Sequence, residues 1–167
     1  YAEVTGNTHS LCNEYVHRII TRLGLEDKFV HVKREDKDFF EELVRIGPPL
    51  LAPYRWCLTE MKRKAWRCHI WGNFAVIGIR AEDSYYRSKY KQLKRTAEGQ
   101  LTLLPIFCWS KGQVLDYIKE HGFRPNPCYD RYGHSGNCMF CSYHRAEYII
   151  RTLNDPEWGP KIIDALS

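Results

Sequence analysis

Residues 101–122, "LTLLPIFCWSKGQVLDYIKEHG", join a short apolar strand pattern directly to a helical pattern. Ser110 is a residue type that caps helix N-termini, and Gly122 stands where a helix commonly ends. The segment therefore predicts a strand that leads into a helix. That strand–helix unit is the repeating element of an α/β domain.

The same alternation continues on both sides of this unit. Residues 73–80 (NFAVIGIR) form a continuous apolar run, which predicts a parallel strand buried on both faces. Further strands are predicted in residues 1–5 and 28–33, and helices in residues 10–24, 36–47, 53–67, 140–154 and 155–166. Pro53 is placed at the start of its helix. We expect a single α/β domain over residues 1–167, with a mainly parallel sheet flanked by helices. Residues 123–167 would form a cysteine-rich loop and the C-terminal helices.

Composition narrows the class of protein further. Hydrophobic residues make up 44% and charged residues 27% of the 167 residues, which is typical of a globular domain. No apolar run approaches the roughly 18 residues of a membrane span, and no signal peptide opens the sequence, so we expect a cytoplasmic protein without a membrane partner. The net charge of +5 favours anionic ligands such as nucleotides or nucleic acid, although many basic faces are only solvated.

The cysteines are the main candidates for chemistry. Cys138 and Cys141 form a CxxC pair, Cys128 lies ten residues before it, and Cys57 lies in a predicted basic helix. Four thiolates suit a [4Fe–4S] cluster or tetrahedral zinc, and spacing does not separate the two. Reduced or redox-active thiols and structural disulfides remain open alternatives.

The surroundings of the CxxC pair add further expectations. A helix is predicted to begin next to the pair, so that its N-terminus would stabilise thiolate charge. His144 is expected on the surface of that helix. The remaining cysteines are expected as core or semi-buried thiols: Cys12, Cys68 and Cys108.

Several polar residues are candidate ligands of an anionic substrate. Arg80 and Arg87 flank Ser84 after a strand, where open α/β sheets bind ligands, and guanidinium groups there would bind phosphate or sulfate. Arg55 and Lys62 stand close to Cys57 in sequence and could hold an anion beside the metal. Surface charge is the alternative for all four cations.

Two shorter patterns leave more than one interpretation open. Asn7 and Thr8 follow the first predicted strand and could hydrogen-bond a nucleotide, although Thr8 could equally cap the next helix. Basic residues alternate with Trp56, Trp66 and Trp71, a composition that single-stranded nucleic-acid binders use. A core position for these tryptophans is the alternative.

Five segments in order resemble the phosphoadenosine phosphosulfate (PAPS) reductase family of the adenine-nucleotide α-hydrolase superfamily. They are Thr5-Gly6-Asn7-Thr8, Arg55-Trp56-Cys57 with Lys62, "GIRAEDSYYR", "LPIFCWSKGQVLDYIKEHG" and "CYDRYGHSGNCMFC". The resemblance covers nearly the whole chain. It implies the adenine-nucleotide α-hydrolase-like fold, an adenine nucleotide or sulfonucleotide ligand, and an oxidoreductase or sulfurtransferase activity.

The sequence departs from the family pattern at three places. The first strand and the serine- and glycine-rich phosphate loop of the family would precede residue 1. The chain is therefore expected to be the C-terminal portion of a longer unit, to receive the loop from a partner chain, or to have lost ordinary ATP-type binding. Trp56-Cys57 replaces a vicinal cysteine pair, which makes Cys128 the candidate fourth ligand, as in related sulfur-transfer proteins of DNA phosphorothioation. No cysteine follows Cys141, so no catalytic nucleophile is assigned.

We therefore expect an iron–sulfur protein that reduces a sulfonucleotide or transfers sulfur to a nucleotide or nucleic acid. Cys57, Cys128, Cys138 and Cys141 would be the metal ligands. The alternative is a non-catalytic binding module, stapled by zinc, in a larger and possibly nucleic-acid-associated assembly.

Overall fold

The computed structural model describes residues 1–49, 54–67, 74–95 and 99–167, and these fall into two compact units. The first unit comprises Tyr1–His69 and Asn126–Ser167, and the second comprises Ile70–Pro125. Predictions for Pro53, Cys68 and Trp71 lie outside the described residues.

Short helices make up most of the regular structure. In chain order the elements are α1 (Ser10–Arg22), a 3-10 helix (Glu26–Lys28), α2 (Phe39–Ile46), a π-helix (Leu58–Arg63), α3 (Lys64–Arg67), β1 (Phe74–Val76), a 3-10 helix (Ala81–Asp83), α4 (Tyr85–Ser88), β2 (Leu93–Arg95), β3 (Leu101–Leu103), α5 (Lys111–Glu120), α6 (Cys128–Tyr132), α7 (Ala146–Leu153) and α8 (Trp158–Leu166). Within the described ranges, no helix is both long and apolar enough to cross a membrane.

Side-chain caps explain where several helices begin. The Asp38 carboxylate accepts hydrogen bonds from the backbone N–H groups of Phe40 and Glu41 at the start of α2. Ser110 caps α5, as its residue type predicted, and forms a capping box with Gln113. At α1 the cap is His9, whose Nδ1 accepts from the Leu11 N–H, so the alternative in which Thr8 caps this helix is wrong.

The two N-terminal strand predictions are only partly correct. Ala2 and Val32 form an isolated parallel bridge, supported by backbone bonds from Glu3 N–H to Val32 O and from Val32 N–H to Tyr1 O. The pairing is parallel, as a mainly parallel sheet requires, but neither segment extends into a regular strand. The apolar pattern therefore predicted which two segments pair, but the paired region is shorter than the predicted strands.

The second unit contains a three-stranded mixed sheet in the order β1-β3-β2. β1 pairs with β3 in parallel, and β2 pairs with β3 antiparallel. The expectation that β1 is buried on both faces is wrong, because Phe74 and Val76 are 52% and 61% exposed. The chain is thus a mixed α/β protein with a small sheet and flanking helices, and the antiparallel edge departs from a purely parallel arrangement.

The first unit holds the main hydrophobic core. α2 and α7 both pack against α8. Fully buried aromatic side chains fill the centre, with Phe39 stacked on Trp56 at 5.3 Å between ring centroids and the Trp56 indole N–H donating to the Gly47 carbonyl. Burying an aromatic side chain with its polar atom satisfied contributes strongly to stability.

The helix expected immediately after the CxxC pair begins later than predicted. α7 starts at Ala146, and residues 138–145 are irregular. Cys138 and Cys141 therefore lie in a loop, and no helix N-terminus stands directly beneath them, among the described elements, to stabilise thiolate charge. The helix predicted over residues 140–154 is therefore correct only for residues 146–153.

Candidate functional site

Three of the predicted ligands converge in the first unit. The Cys138 thiol interacts electrostatically with both Cys57 and Cys141, and Cys57 interacts with Cys141 in the same way. The fold thus brings Cys57 to the CxxC pair across 81 residues of sequence. Burial raises the pKa of Cys57 and of Cys138, and each neighbouring thiolate charge adds to that rise.

Two cations oppose that rise in the thiol pKa values. Arg55 interacts with the Cys57 thiol by charge and hydrogen bonding, and Lys62 interacts in the same two ways with Cys138. The Arg55 guanidinium also stacks over the Tyr143 ring at 4.2 Å from its centroid. Arg55 Nε is buried, and among the described residues it has no hydrogen-bond partner. A buried donor without a partner is costly unless a ligand completes it.

The π-helix explains how Lys62 reaches the thiols. Cys57 precedes the π-helix by one residue and Lys62 lies within it, five residues further on. In an α-helix, residues five apart point about 140° away from each other. The wider π turn, with its i→i+5 hydrogen bonds, brings them close to one face. Trp56 and Met61, also five apart, are both fully buried in the same core, which requires the same alignment.

Asn7 fastens the CxxC loop to the N-terminal turn. Its Nδ2 donates to the Phe140 carbonyl at 2.9 Å, and its Oδ1 accepts from the Phe140 N–H at 2.8 Å. The Asn7 carbonyl accepts from the Met139 N–H, and the Asn7 side chain is fully buried. Thr8 Oγ1 accepts from the Val4 N–H and lies within hydrogen-bond distance of Asn137. Both residues therefore support the loop that bears the two cysteines, and nucleotide binding by either stays a prediction.

The thiol that neighbours Cys128 is not one of the three converging cysteines. Cys128 is fully buried, and the neighbouring thiol that influences it is Cys12; burial and the Cys12 charge raise its pKa to about 11. A Cβ on Gly136, which has φ +75°, would stand 2.7 Å from the Cys128 Sγ. Only glycine fits there without displacing the thiol. Cys128 as a fourth ligand stays a prediction. Cys12 is buried, as expected, whereas Cys108 is exposed, so its expected core or semi-buried place is wrong.

A histidine pair lies beside this loop. The rings of His134 and His144 stack with centroids 4.0 Å apart. Burial and the adjacent His144 lower the pKa of His134 to about 4, and burial lowers the pKa of His144. His144 is partly buried and precedes α7, so its expected place on a helix surface is wrong.

The second unit positions the other predicted anion ligands. Arg80 donates to Glu82 and Asp83, and Arg87 donates to the second oxygen of Asp83. Ser84 Oγ accepts from the Arg87 N–H as the cap of α4. The two guanidinium groups are therefore held together by a shared carboxylate, which neutralises part of their charge. Substrate binding by Arg80, Ser84 and Arg87 stays a prediction.

The tryptophans divide between core and surface. Trp56 is 1% exposed and serves the core, whereas Trp66 is 45% exposed. The core position is therefore correct for Trp56. Trp56 and Trp66 do not lie together on one exposed surface with the basic residues.

Four of the thiols among the described residues were predicted to form one metal centre. The six described cysteines are all free, so none of them supports the disulfide alternative. The same residues contain no group of three His, Cys, Asp or Glu side chains arranged to hold a single metal ion. A [4Fe–4S] cluster places four irons and four sulfides between its thiolates, so it spans a wider gap than one ion. Binding of a [4Fe–4S] cluster by Cys57, Cys138 and Cys141 therefore stays a prediction.

Sequence reasoning missed Tyr143 and Cys12 as neighbours of this region. Tyr143 contacts Arg55 from a position 88 residues away, and Cys12 reaches Cys128 across 116 residues. No local pattern signals either contact. The CxxC spacing, by contrast, identified two of the converging thiols directly.

The chain is thus a mixed α/β protein in which a cluster of thiols lies beside the cations Arg55 and Lys62. The family model for the phosphoadenosine phosphosulfate reductase domain matches residues 4–144, and the chain belongs to that family. The match includes all four predicted cysteine ligands and the three predicted substrate-binding segments, at residues 7–8, 55–62 and 80–87. No curated protein sequence matches the chain.

Proposed function

We propose that the chain acts in sulfur chemistry on a sulfonucleotide or on a nucleotide-linked acceptor, through an iron–sulfur site built on Cys57, Cys138 and Cys141. Membership of the PAPS reductase family supports sulfonucleotide-related chemistry. The observation that carries the cofactor proposal is the convergence of Cys57 on the CxxC pair. A reducing cytoplasm, in which unpaired thiols persist, is the compartment that this chemistry requires.

Arg55 and Lys62 have two roles in this proposal. Their charges favour the thiolate forms of Cys57 and Cys138, which are the forms that bind iron. The unpartnered Arg55 Nε would then donate to an oxygen of an anionic sulfonate or phosphate group. When bound, a [4Fe–4S] cluster supplies an electron carrier and a local charge beside the substrate.

The other proposed residues act around this centre. Asn7 and Thr8 hold the loop that bears Cys138, in the contacts described above. Arg80, Ser84 and Arg87 would bind the nucleotide phosphate or sulfate, exchanging part of their pairing with Asp83 for the ligand. Reduction of the sulfonucleotide and transfer of sulfur are both consistent with this arrangement.

Anaerobic reconstitution with iron and sulfide tests the proposal. We expect a brown protein with broad absorption near the blue end of the visible range and matching iron and sulfide contents. The serine variants Cys57→Ser, Cys138→Ser and Cys141→Ser should each lose most of the iron. Cys108→Ser is the matched control, because Cys108 is exposed and belongs to the second unit.

Cys128→Ser decides the fourth ligand separately. Loss of the cluster with a folded protein would assign Cys128 as a ligand, and full retention would leave three protein ligands. A colourless protein with one bound zinc, unaffected by added iron and sulfide, would overturn the iron–sulfur proposal in favour of the zinc-stapled binding module.

A further inference from the structure

The second unit presents an exposed run of tyrosine and basic residues, of which the proposed function uses only Arg87. Residues 85–95, "YYRSKYKQLKR", contain three tyrosines, five basic residues and no acidic residue. Tyr85, Tyr86 and Tyr90 are 72%, 80% and 52% exposed. We call this region the tyrosine–lysine surface, defined by Tyr85, Tyr86, Lys89, Tyr90, Lys91 and Lys94.

The tyrosine rings contribute little to the packing of their unit. Tyr85 and Tyr86 follow each other in the four-residue helix α4, and their ring planes meet at 74° with centroids 6.0 Å apart. Their faces therefore point in different directions, toward solvent. Rings this exposed offer flat apolar area to a ligand without first giving up contacts in a core.

Among the described residues, no carboxylate pairs with the ammonium groups of this surface. Lys89 Nζ stands 4.7 Å from the centroid of the Tyr85 ring, a cation–π contact that places charge beside an aromatic face. Lys91 and Lys94 take part in no ion pair within the described part of the chain, and both are exposed. The nearby Asp83 is already engaged by Arg80 and Arg87.

Exposed rings next to unneutralised ammonium groups match the chemistry of one ligand class. Single-stranded nucleic acid offers base faces for stacking and phosphates for the lysines. A duplex hides its base faces, and an acidic peptide would use the lysines without needing three tyrosines. We propose that the tyrosine–lysine surface binds single-stranded nucleic acid without sequence preference, by stacking bases on Tyr85, Tyr86 and Tyr90.

This proposal does not depend on the iron–sulfur site. The surface lies in the second unit and the thiols lie in the first. Loss of one activity in a variant therefore leaves the other measurable, and the two proposals fail separately.

Fluorescence anisotropy with a labelled oligothymidylate of ~20 nucleotides tests the surface, because that length exceeds the site size of common single-strand binders. The 167-residue chain should bind it more tightly than a duplex of equal length. Binding should weaken as salt rises, since lysine–phosphate contacts release counterions. Replacing Lys91 and Lys94 together by glutamine should reduce the slope of log Kobs against log salt concentration by about 1.4, at about 0.7 for each phosphate contact.

Ring substitutions separate stacking from charge. Each Tyr→Ala change at a stacking position should weaken binding at least about fivefold, whereas the corresponding Tyr→Phe change should retain most of the affinity. Tyr54→Ala is the matched tyrosine control, because Tyr54 is 55% exposed and lies in the first unit. Lys28→Gln with Lys119→Gln is the matched charge control, because both lysines are exposed outside the surface.

The outcomes distinguish the proposal from its competitors. Binding that falls with Tyr→Ala, persists with Tyr→Phe and is unchanged in both controls supports it. Equal binding of polyglutamate and oligothymidylate would overturn it in favour of an acidic protein partner. Equal losses in the surface and control variants would also overturn it, since they would reflect general charge alone.

Discussion

The amide of Asn7 should be one of the most sensitive positions in the protein. Replacing Asn7 by alanine removes both side-chain hydrogen bonds to the Phe140 backbone, at 2.9 and 2.8 Å. Each abandoned backbone group in a buried setting costs about 1–3 kcal/mol. We therefore expect the free energy of unfolding to fall by about 2–6 kcal/mol in the Asn7→Ala variant, at that cost for each of the two groups.

The Asn7→Asp variant tests separately whether the donor side of the Asn7 amide is needed. The introduced carboxylate would still accept from the Phe140 N–H, but its second oxygen would face the Phe140 carbonyl that Asn7 Nδ2 now contacts. Repulsion and burial would raise the pKa of that carboxyl, so this variant should recover stability as pH falls and the protonated acid becomes a donor. The alanine variant has no such pH dependence.

Two measurements check the role of Asn7. Urea unfolding followed by circular dichroism gives the stability, and alkylation with peptide mapping shows whether Cys138 and Cys141 become more reactive. Asn154→Ala is the matched control, because Asn154 is exposed at the end of α7. If Asn7→Ala stayed within about 0.5 kcal/mol of the control, the amide would not be holding the loop, and the reasoning would be refuted.

Three further predictions concern the same unit. Tyr132→Phe should lower stability by about 1.5–3 kcal/mol in urea unfolding, because its hydroxyl donates to the buried Asp155 carboxylate at 2.7 Å; an unchanged midpoint would contradict this. The pKa of His134 is about 4 in the folded protein, so the unfolded chain takes up the proton first as pH falls. The free energy of unfolding should therefore fall by about 2–3 kcal/mol between about pH 7.5 and 4.5. His134→Asn should weaken this pH dependence, and parallel stability curves for the two proteins would refute the prediction. Lys62 lowers the pKa of the Cys138 thiol, so Lys62→Gln should slow Cys138 alkylation by about three- to tenfold. Lys64→Gln is the control, because it removes only an exposed ion pair with Glu60 and should leave the rate unchanged. Equal alkylation rates in the two variants would exclude the Lys62 contact.

Local sequence signals predicted the helices well and the strands poorly. Helices α1, α2, α5 and α8 lie where apolar periodicity and capping residues placed them. A strand needs partners that the periodicity does not specify, so the apolar runs at residues 1–5 and 28–33 gave only the Ala2–Val32 bridge. The exposed side chains of β1 show the same limit, because an apolar run indicates a strand and does not show what covers its faces.

The candidate site was predictable for those residues that belong to short sequence motifs. The CxxC spacing and the Arg55-Trp56-Cys57 segment identified three thiols and a cation that the fold does bring together. The helix expected beneath the CxxC pair does not reach it, because helical periodicity begins only at residue 146. The positive charge beside the thiols comes from Arg55 and Lys62 instead.

The π-helix shows why the placement of Lys62 could not be read from spacing alone. A standard helix would direct Lys62 away from Cys57, and the sequence contains no residue that demands a wider turn. The wider turn is consistent with the buried pair Trp56 and Met61, because both side chains enter one core only if residues five apart align. The same alignment brings the ammonium group to the cysteines. Packing on one side of this segment therefore determines the electrostatics on the other, which couples core substitutions at Met61 to the reactivity of Cys138.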